Sequence, residues 1–304
     1  MNDMAPTLDL HFSILMANYN NSKFIADAIS SVISQTYDKW ELIIVDDCST
    51  DDSIEKIKLF LNDNRIKLIK NKNNLGYGGT LKIAADNAKN PILGILDADD
   101  KLHEKALETM RKVYQDNPEY GFIYSTMWNC DKDLRNCRLN TKIGEIIPEK
   151  SFIFNPKISH FKTFLLEAYN KTKGFEINQK RSVDKDIIYK LEEVTKFKFV
   201  NEPLYYYRHH ETGISQGKNK YQARIFHYIA KCKTFRRRLN SELPNFTLRE
   251  LYSEYFKLTF YQIFRVAKML YRKFKISYLI DLILRIFPKT PIKLKKRLEY
   301  LRER

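Results

Sequence analysis

Three carboxylates follow one another closely at the end of an apolar run. Residues 92–96 read ILGIL, and Asp97, Asp99 and Asp100 come directly after them. Neighbouring carboxylates repel each other and raise each other's pKa unless a cation neutralises them, so a hard divalent ion such as Mg²⁺ or Mn²⁺ is their natural partner. Such an ion usually keeps phosphate oxygens in its shell, which indicates a diphosphate ligand. The alternative for this D-x-D pattern alone is a loop whose acids cap a helix.

Polar residues also follow two other apolar segments, which favours a ligand site. Asn18, Tyr19 and Asn20 follow the first, and Asp46 and Asp47 follow the second. Short apolar segments alternate with segments of helical spacing, which predicts a parallel, doubly wound sheet. Ligands of such sheets bind outside the carboxyl ends of the strands. We therefore expect these polar residues and the acids to share one crevice.

The elements that must position these residues can be predicted from their periodicity. Strands are predicted at 11–20, 40–47, 65–71, 92–97 and 121–129, helices at 22–36, 51–63, 80–90, 160–175 and 182–194, and extended chain at 197–215. The glycine turn NLGYGG lacks the third glycine of G-x-G-x-x-G, because Leu81 stands there. The chain contains neither G-x-x-x-x-G-K-S/T nor G-x-S-x-G, so three large enzyme classes are disfavoured.

Four segments, in order, resemble the family 2 glycosyltransferases, which have the GT-A fold. They are ILMANYNNSKFIADAISSVISQTYDKWELIIVDDCSTDDS, LDADD, SVDKDIIYKL and EPLYYYRHHETGIS, and the resemblance covers about residues 12–215. It implies an inverting transfer of a single sugar from a nucleotide-sugar, most simply a UDP-sugar, with Mn²⁺ or Mg²⁺ as cofactor. The acceptor would be a hydroxyl of a glycan or lipid-linked glycan in polysaccharide assembly.

The resemblance also assigns roles to residues. The nucleotide base would contact Ala17, Tyr19 and Asp47. The metal and the sugar-diphosphate would contact Asp97 and Asp99, with Asp100 close by, and His210 would lie near the metal or diphosphate. Asp184 would be the catalytic base. Asp186 fits the base position almost as well, and His210 is equally compatible with a stacked loop histidine. Where many members carry Arg-Asn, this chain has Leu81-Lys82, and Lys82 could still reach phosphate. His160 is a weak candidate for acceptor binding.

The net charge is concentrated in one region. The chain has 304 residues and a formal charge of +16, and residues 220–304 contain 22 Lys and Arg against 6 Asp and Glu. We therefore predict a GT-A domain at 1–219, with a nucleotide-sugar half at 1–120 and an acceptor half at 121–219, followed by a basic amphipathic helical region at 220–304. Its apolar stripe consists of Phe256, Phe260, Ile263, Ala267, Leu270 and Phe274.

This pattern predicts a helical region that binds an anionic membrane surface rather than nucleic acid. The alternatives are packing of the stripe on the catalytic domain and self-association to a homo-oligomer. Cys48, Cys130, Cys137 and Cys232 show no C-x-x-C pairing, so we expect reduced thiols. No secretory signal and no apolar run of about 20 residues is visible, which predicts a cytoplasmic protein bound peripherally to a membrane.

Two other classes of function remain compatible with parts of the pattern. A nucleotidyltransferase making an activated sugar is expected to carry a glycine-rich, basic phosphate loop after its first strand, where this chain has ANYNNSK. A non-catalytic sugar-binding or scaffold protein would not need all of the carboxylates. The metal-dependent glycosyltransferase is therefore the favoured hypothesis.

Overall fold

The computed structural model describes residues 10–146, 151–153, 156–179, 181–211 and 220–239. The strands are β1 (Phe12–Asn18), β2 (Trp40–Asp46), β3 (Ile66–Lys70), β4 (Ile92–Ile95), β5 (Lys101–Leu102), β6 (Tyr120–Cys130), β7 (Arg138–Leu139), β8 (Lys162–Leu165) and β9 (Lys196–Arg208). The helices are α1 (Ile25–Ile33), α2 (Ser53–Lys58), α3 (Gly76–Asp86), α4 (Ala106–Asp116), α5 (Leu166–Asn170), α6 (Val183–Leu191) and α7 (Lys220–Leu239). The chain divides into two units, Met1–Thr234 and Phe235–Arg304.

Within the described residues the strands form one sheet in the order β3-β2-β1-β4-β8-β6-β9-β5, with β7 paired to β6. The first four strands of this order run parallel, as the sequence predicts. Strand β8 runs antiparallel to both β4 and β6, so it joins the parallel half to the mixed half. Strands β1, β2 and β4 are almost wholly buried, because helices cover a parallel sheet on both faces.

The prediction of a helix at 160–175 is wrong for the residues before Leu166. Residues Lys162–Leu165 form the central strand β8, and only Leu166–Asn170 are helical. In so short a segment, the apolar residues Phe161, Phe164 and Leu165 fit the periodicity of a helix as well as that of a strand. The segment forms a strand because it pairs with β4 on one side and with β6 on the other.

Helix α3 begins earlier than predicted, inside the glycine turn. Gly76 has a φ of +74°, a conformation that glycine adopts without steric cost. A Cβ on Gly78 would lie 2.4 Å from the carbonyl oxygen of Glu176, so the segment before α6 approaches the α3 backbone closely. The glycines therefore let α3 start beside the loop that precedes α6.

Two of the four cysteines do not follow the expectation of reduced thiols. Cys130 and Cys137 form a disulfide that closes the hairpin of β6 and β7, whereas Cys48 is a free thiol. The ladder between β6 and β7 brings the two cysteines together, a proximity that their spacing in sequence does not reveal. The four cysteines therefore do not indicate a reducing compartment.

The predicted basic region lies mostly outside the described residues. Helix α7 covers its first 20 residues and ends in a basic turn of Arg236, Arg237 and Arg238. The amphipathic stripe predicted at 256–274 falls outside the described part of the chain. Among the residues that are described, no helix has the length and apolar character needed to cross a membrane.

Candidate active site

The parallel strands place three polar segments at one edge of the sheet. In the registers of β1 with β2 and β4, Asn18 lies opposite Asp46, and β4 ends two residues before Asp97. Ligand atoms of Asp97, Asp99 and Asp100 all lie within 4.8 Å of one another. The carboxylates predicted to share a site therefore do so.

Asp97 is held between an aromatic hydroxyl and a histidine. Its Oδ1 accepts a hydrogen bond from the Tyr77 hydroxyl in the first turn of α3, and His160 Nε2 lies 3.7 Å from its Oδ2. Burial and the negative charge of Asp99 raise the pKa of Asp97 to about 6, although the positive charge of Lys162 opposes this rise. A cation at this position would relieve the repulsion between Asp97 and Asp99.

Asp99 is paired with the histidine that the resemblance placed near the metal. His210 Nε2 lies 2.8 Å from Asp99 Oδ2, and the ring of Phe24 packs on the His210 ring with centroids 4.8 Å apart. The Asp99 side chain is 24% exposed, so it can still be reached from solvent. His210 thus lies beside the acids, and its ring is tilted by 52° against the Phe24 ring rather than stacked on it.

Asp100 faces the interior rather than the crevice. The Tyr205 hydroxyl donates to its Oδ2 at 2.8 Å and the Arg208 backbone N–H donates to its Oδ1 at 2.7 Å. Burial, followed by repulsion from Asp99 and Asp97, raises the pKa of Asp100 well above its ordinary value. Because strand β9 uses both of its oxygens, Asp100 mainly fastens the acidic loop to the sheet.

Arg208 is the second fastening of this loop. Its side chain is almost fully buried, and it donates to the carbonyl oxygens of Asp99 and Lys132, each at 2.7 Å, and to the carboxylate of Asp27 at 2.9 Å. The guanidinium also lies over the Phe24 ring. Arg208 thereby ties α1, the acidic loop and the β6–β7 hairpin to the end of β9.

The candidate base Asp184 lies in the first turn of α6 beside a buried lysine. Lys162 Nζ is 3.6 Å from Asp184 Oδ2, and the Asp184 side chain is 26% exposed. Burial alone would raise the pKa of Asp184, but the positive charges of Lys162 and Lys185 outweigh it and hold that pKa well below its usual range. Asp184 is therefore ionised and open to solvent.

Asp186, the alternative base, has a different environment. It is buried and forms an ion pair with Lys190 at 2.7 Å, one turn further along α6. Lys190 also donates to the carbonyl oxygen of Gly174 at 2.7 Å. A carboxylate enclosed in this way cannot meet a substrate hydroxyl, which favours Asp184.

The residues assigned to the nucleotide base lie at the ends of β1 and β2. Tyr19 is 50% exposed, whereas Ala17 is partly covered. Asp47 is buried, and its carboxylate accepts hydrogen bonds from the side chain of Asn71 and the backbone N–H groups of Leu75 and Gly76. Asp47 therefore holds the turn that starts α3, and its Oδ2 takes one hydrogen bond of the two it can accept.

Two predicted residues lie elsewhere than expected. Lys82 forms an ion pair with Asp86 at 3.0 Å, one turn along α3, and the structure does not bring it to the acidic cluster. His160 is buried against the Tyr205 ring, with centroids 4.7 Å apart, beside Asp97 rather than on an open acceptor surface. Its burial lowers its pKa well below the ordinary value, so the ring is neutral.

Four residues of the site were missed by the sequence interpretation: Tyr77, Lys162, Tyr205 and Arg208. Lys162 could have been recognised, because it begins the apolar segment KTFL. A lysine in such a segment is seldom buried without an acidic partner, so its presence indicates one. Tyr205 and Arg208 gave no such signal, since β9 brings them to acids more than 100 residues earlier in the chain, and the partner of Tyr77 depends on where α3 begins.

The arrangement of acids beyond the strand ends agrees with a match to a known family. A model described as glycosyl transferase family 2 matches residues 13–188. The chain belongs to this family, and the resemblance inferred from its four segments is confirmed. The family accounts for the GT-A type of sheet.

Two curated relatives indicate the range of the family. The chain is 31% identical over 194 residues to a chondroitin synthase of Escherichia coli, an alignment that covers 64% of this chain and 28% of that protein. It is 40% identical over 147 residues to the Escherichia coli UDP-Glc:alpha-D-GlcNAc-diphosphoundecaprenol beta-1,3-glucosyltransferase WfgD, covering 48% and 54%. The chain thus spans about a quarter to a half of the length of these relatives.

A solved structure shows the same fold. TarS residues 1–349 of S. aureus, in complex with UDP-GlcNAc, superimposes with a TM-score of 0.70 at 16% identity. The match covers 97% of this chain and 88% of that one. At this identity the likeness establishes the GT-A fold of the chain.

Proposed function

We propose that this protein is a metal-dependent, inverting glycosyltransferase that moves one sugar from a UDP-sugar to a hydroxyl of a glycan or lipid-linked acceptor. The observation that carries the proposal is a pair of carboxylate sites close enough for the charge of one to act on the other. One is the cluster of Asp97 and Asp99, and the other is the ionised, solvent-accessible Asp184. The names of the UDP-Glc-dependent relative and of the UDP-GlcNAc complex support a uridine nucleotide, and the first supports a lipid-diphosphate acceptor.

The donor atoms of the cluster fit a hard divalent cation. Asp97 and Asp99 offer carboxylate oxygens close together, and their mutual repulsion contributes to the raised pKa of Asp97. These two residues would hold Mn²⁺ or Mg²⁺, which supplies positive charge for the departing diphosphate. Asp100 and Arg208 keep the loop that carries them in place.

Asp184 performs the proton chemistry. In an inverting transfer the acceptor oxygen attacks the anomeric carbon while the bond to the diphosphate oxygen breaks and takes its electron pair with it. The hydroxyl proton must pass to a base as the new bond forms. The positive charges beside Asp184 keep it ionised, so its carboxylate has a free site for this proton.

The variant Asp184→Asn tests this assignment. A thermal-shift screen of UDP-sugars with Mn²⁺ identifies the donor, because a bound donor stabilises the folded protein by mass action. Transfer is then measured with an N-acetylglucosaminyl-diphosphate lipid as acceptor. We expect the variant to bind the donor like the wild type and to lose transfer. Transfer at a near wild-type rate would contradict the role of Asp184, and full wild-type activity in EDTA would contradict metal dependence.

The basic region at 220–304 supports a further part of the proposal, attachment to an anionic membrane surface. Its charge, calculated from the sequence, supports this idea, since a Lys or Arg near such a surface contributes about 1 kcal/mol. Flotation with anionic vesicles should be lost when the chain is truncated after Lys220. Flotation of the truncated chain would place the anchor elsewhere.

A further inference from the structure

Lys162 is a buried cation that the proposed chemistry does not yet use. It begins the central strand β8, where it lies opposite Ile95 of β4 on one side and Tyr124 of β6 on the other. Its side chain is only 1% exposed, and Nζ has no hydrogen-bond partner among the described residues. An ammonium group in such a place costs free energy that the fold alone does not require, because an apolar residue would suit the strand.

The acids of the site account for the burial of the Lys162 ammonium group. Lys162 lies 3.6 Å from Asp184, and its charge also acts on Asp97. The distance to Asp184 is within the range of an ion pair but longer than the 2.7–3.2 Å of an ordinary hydrogen bond. The attraction therefore acts on Asp184 while its carboxylate oxygens remain available to a substrate.

The neighbouring pair on the same helix provides a contrast. Asp186 and Lys190 approach to 2.7 Å, both are buried, and Lys190 is also bonded to a carbonyl oxygen. That pair is closed and serves the fold. The pair of Lys162 and Asp184 is open on the side of the acid, which is 26% exposed.

We propose that Lys162 is a positioning residue for the transfer reaction: its buried ammonium holds the Asp184 carboxylate in place and ionised without occupying its oxygens. This inference rests on the proposed function, in which Asp184 is the base. Lys162 acts through Asp184 and touches neither donor nor acceptor, because solvent does not reach it.

Other charged and titratable groups also act on Asp184, so the effect of Lys162 must be separated from theirs. Lys185 lies on the same helix, His160 lies in the segment before β8, and His227 lies on α7. Asp97 follows β4, and Tyr77 belongs to α3. Among these described groups, Lys162 alone combines a positive charge with a side chain that is only 1% exposed, so its removal is the selective change.

The experiment compares the pH dependence of kcat for wild type, Lys162→Met and Lys162→Arg. Methionine fills a similar volume without charge, so the pKa of Asp184 should rise from its low position in the wild type, and the acidic limb that Asp184 governs should appear at higher pH. A shift of one unit would lower turnover on that limb about tenfold, with little loss on the plateau. Arginine keeps the charge and should keep the limb near its wild-type position. Because Lys162 also lowers the pKa of Asp97, the Kd for the UDP-sugar is measured with saturating Mn²⁺ at the pH of the plateau, where it should be unchanged in both variants.

The double variant D186N/K190M is the matched control. It removes the other buried pair of α6 without leaving a lone charge, so its acidic limb should coincide with that of the wild type. Equal displacement of the limb in this control would show a general distortion of α6 and overturn the proposal.

Two failures can be told apart. If Asp184→Asn retains transfer, the proposed base is wrong and the role of Lys162 falls with it. If Asp184→Asn is inactive but the limb of Lys162→Met does not move, the proposed function stands and the role of Lys162 is refuted. Should Lys162→Met not fold, Lys162→Gln provides the same neutral comparison.

Discussion

Replacing Asp97 by asparagine should make the metal-free protein more stable at neutral pH while abolishing its response to a cation. Asparagine has nearly the same shape and can still accept the hydrogen bond from Tyr77. It carries no charge, so the burial and the repulsion from Asp99 that raise the pKa of Asp97 no longer cost free energy. The change therefore isolates the electrostatic cost of the ionised carboxylate.

The size of the effect follows from the pKa. Asp97 ionises near 3.8 in the unfolded chain and at about 6 in the folded protein. Because the pKa of Asp97 is higher in the folded protein than in the unfolded chain, ionisation of Asp97 lowers the free energy of unfolding. This loss of stability is absent below pH 3.8 and reaches its full size as the pH rises through about 6. A shift of about two units corresponds to about 3 kcal/mol at most, since one unit is about 1.4 kcal/mol.

Urea unfolding in EDTA, followed by circular dichroism at about pH 7.5 and pH 5, measures this difference. We expect Asp97→Asn to exceed the wild type in stability at the higher pH and the gap to narrow at the lower one. Added Mn²⁺ should stabilise the wild type and have little effect on the variant. Asp116→Asn, an exposed acid at the end of α4, serves as the control and should show neither effect. A variant less stable than the wild type at pH 7.5, or a gap independent of pH, would refute the reasoning.

Two further predictions concern the groups that hold the acids. Arg208→Met should lower the free energy of unfolding by about 2–4 kcal/mol, because it leaves the carbonyl oxygens of Asp99 and Lys132 without their donor; a loss below about 0.5 kcal/mol in urea unfolding would contradict this. Tyr77→Phe removes the hydrogen bond that lowers the pKa of Asp97, so that pKa should rise and the protein should bind Mn²⁺ more weakly below about pH 7. Calorimetric titration at two pH values measures it, and an unchanged Kd at both would oppose it.

The position of the acidic cluster could be predicted from the sequence, because parallel strands bring their carboxyl ends together whatever their exact bounds. The central strand β8 could not be predicted, since residues 160–175 suit a helix and a strand equally until β4 and β6 lie beside them. The misassigned segment hid the role of Lys162, because a lysine on a helix would be expected to face solvent. The resemblance favours Asp184 over Asp186 by position alone, and the difference in their burial and pairing is not visible in sequence for two acids so close together.

The pKa values of two carboxylates of the site shift in opposite directions, and this difference is the physical basis for their different roles. Burial and the charge of Asp99 raise the pKa of Asp97, which makes a cation the natural means of neutralising it. Lys162 and Lys185 lower the pKa of Asp184, which keeps it ionised beside that cluster. A carboxylate held so firmly in its charged form is a weak base toward a free hydroxyl. It takes the proton only after the acceptor oxygen has begun to bond to the anomeric carbon, when that hydroxyl has become acidic. Proton transfer to Asp184 should therefore lag behind bond formation at the anomeric carbon.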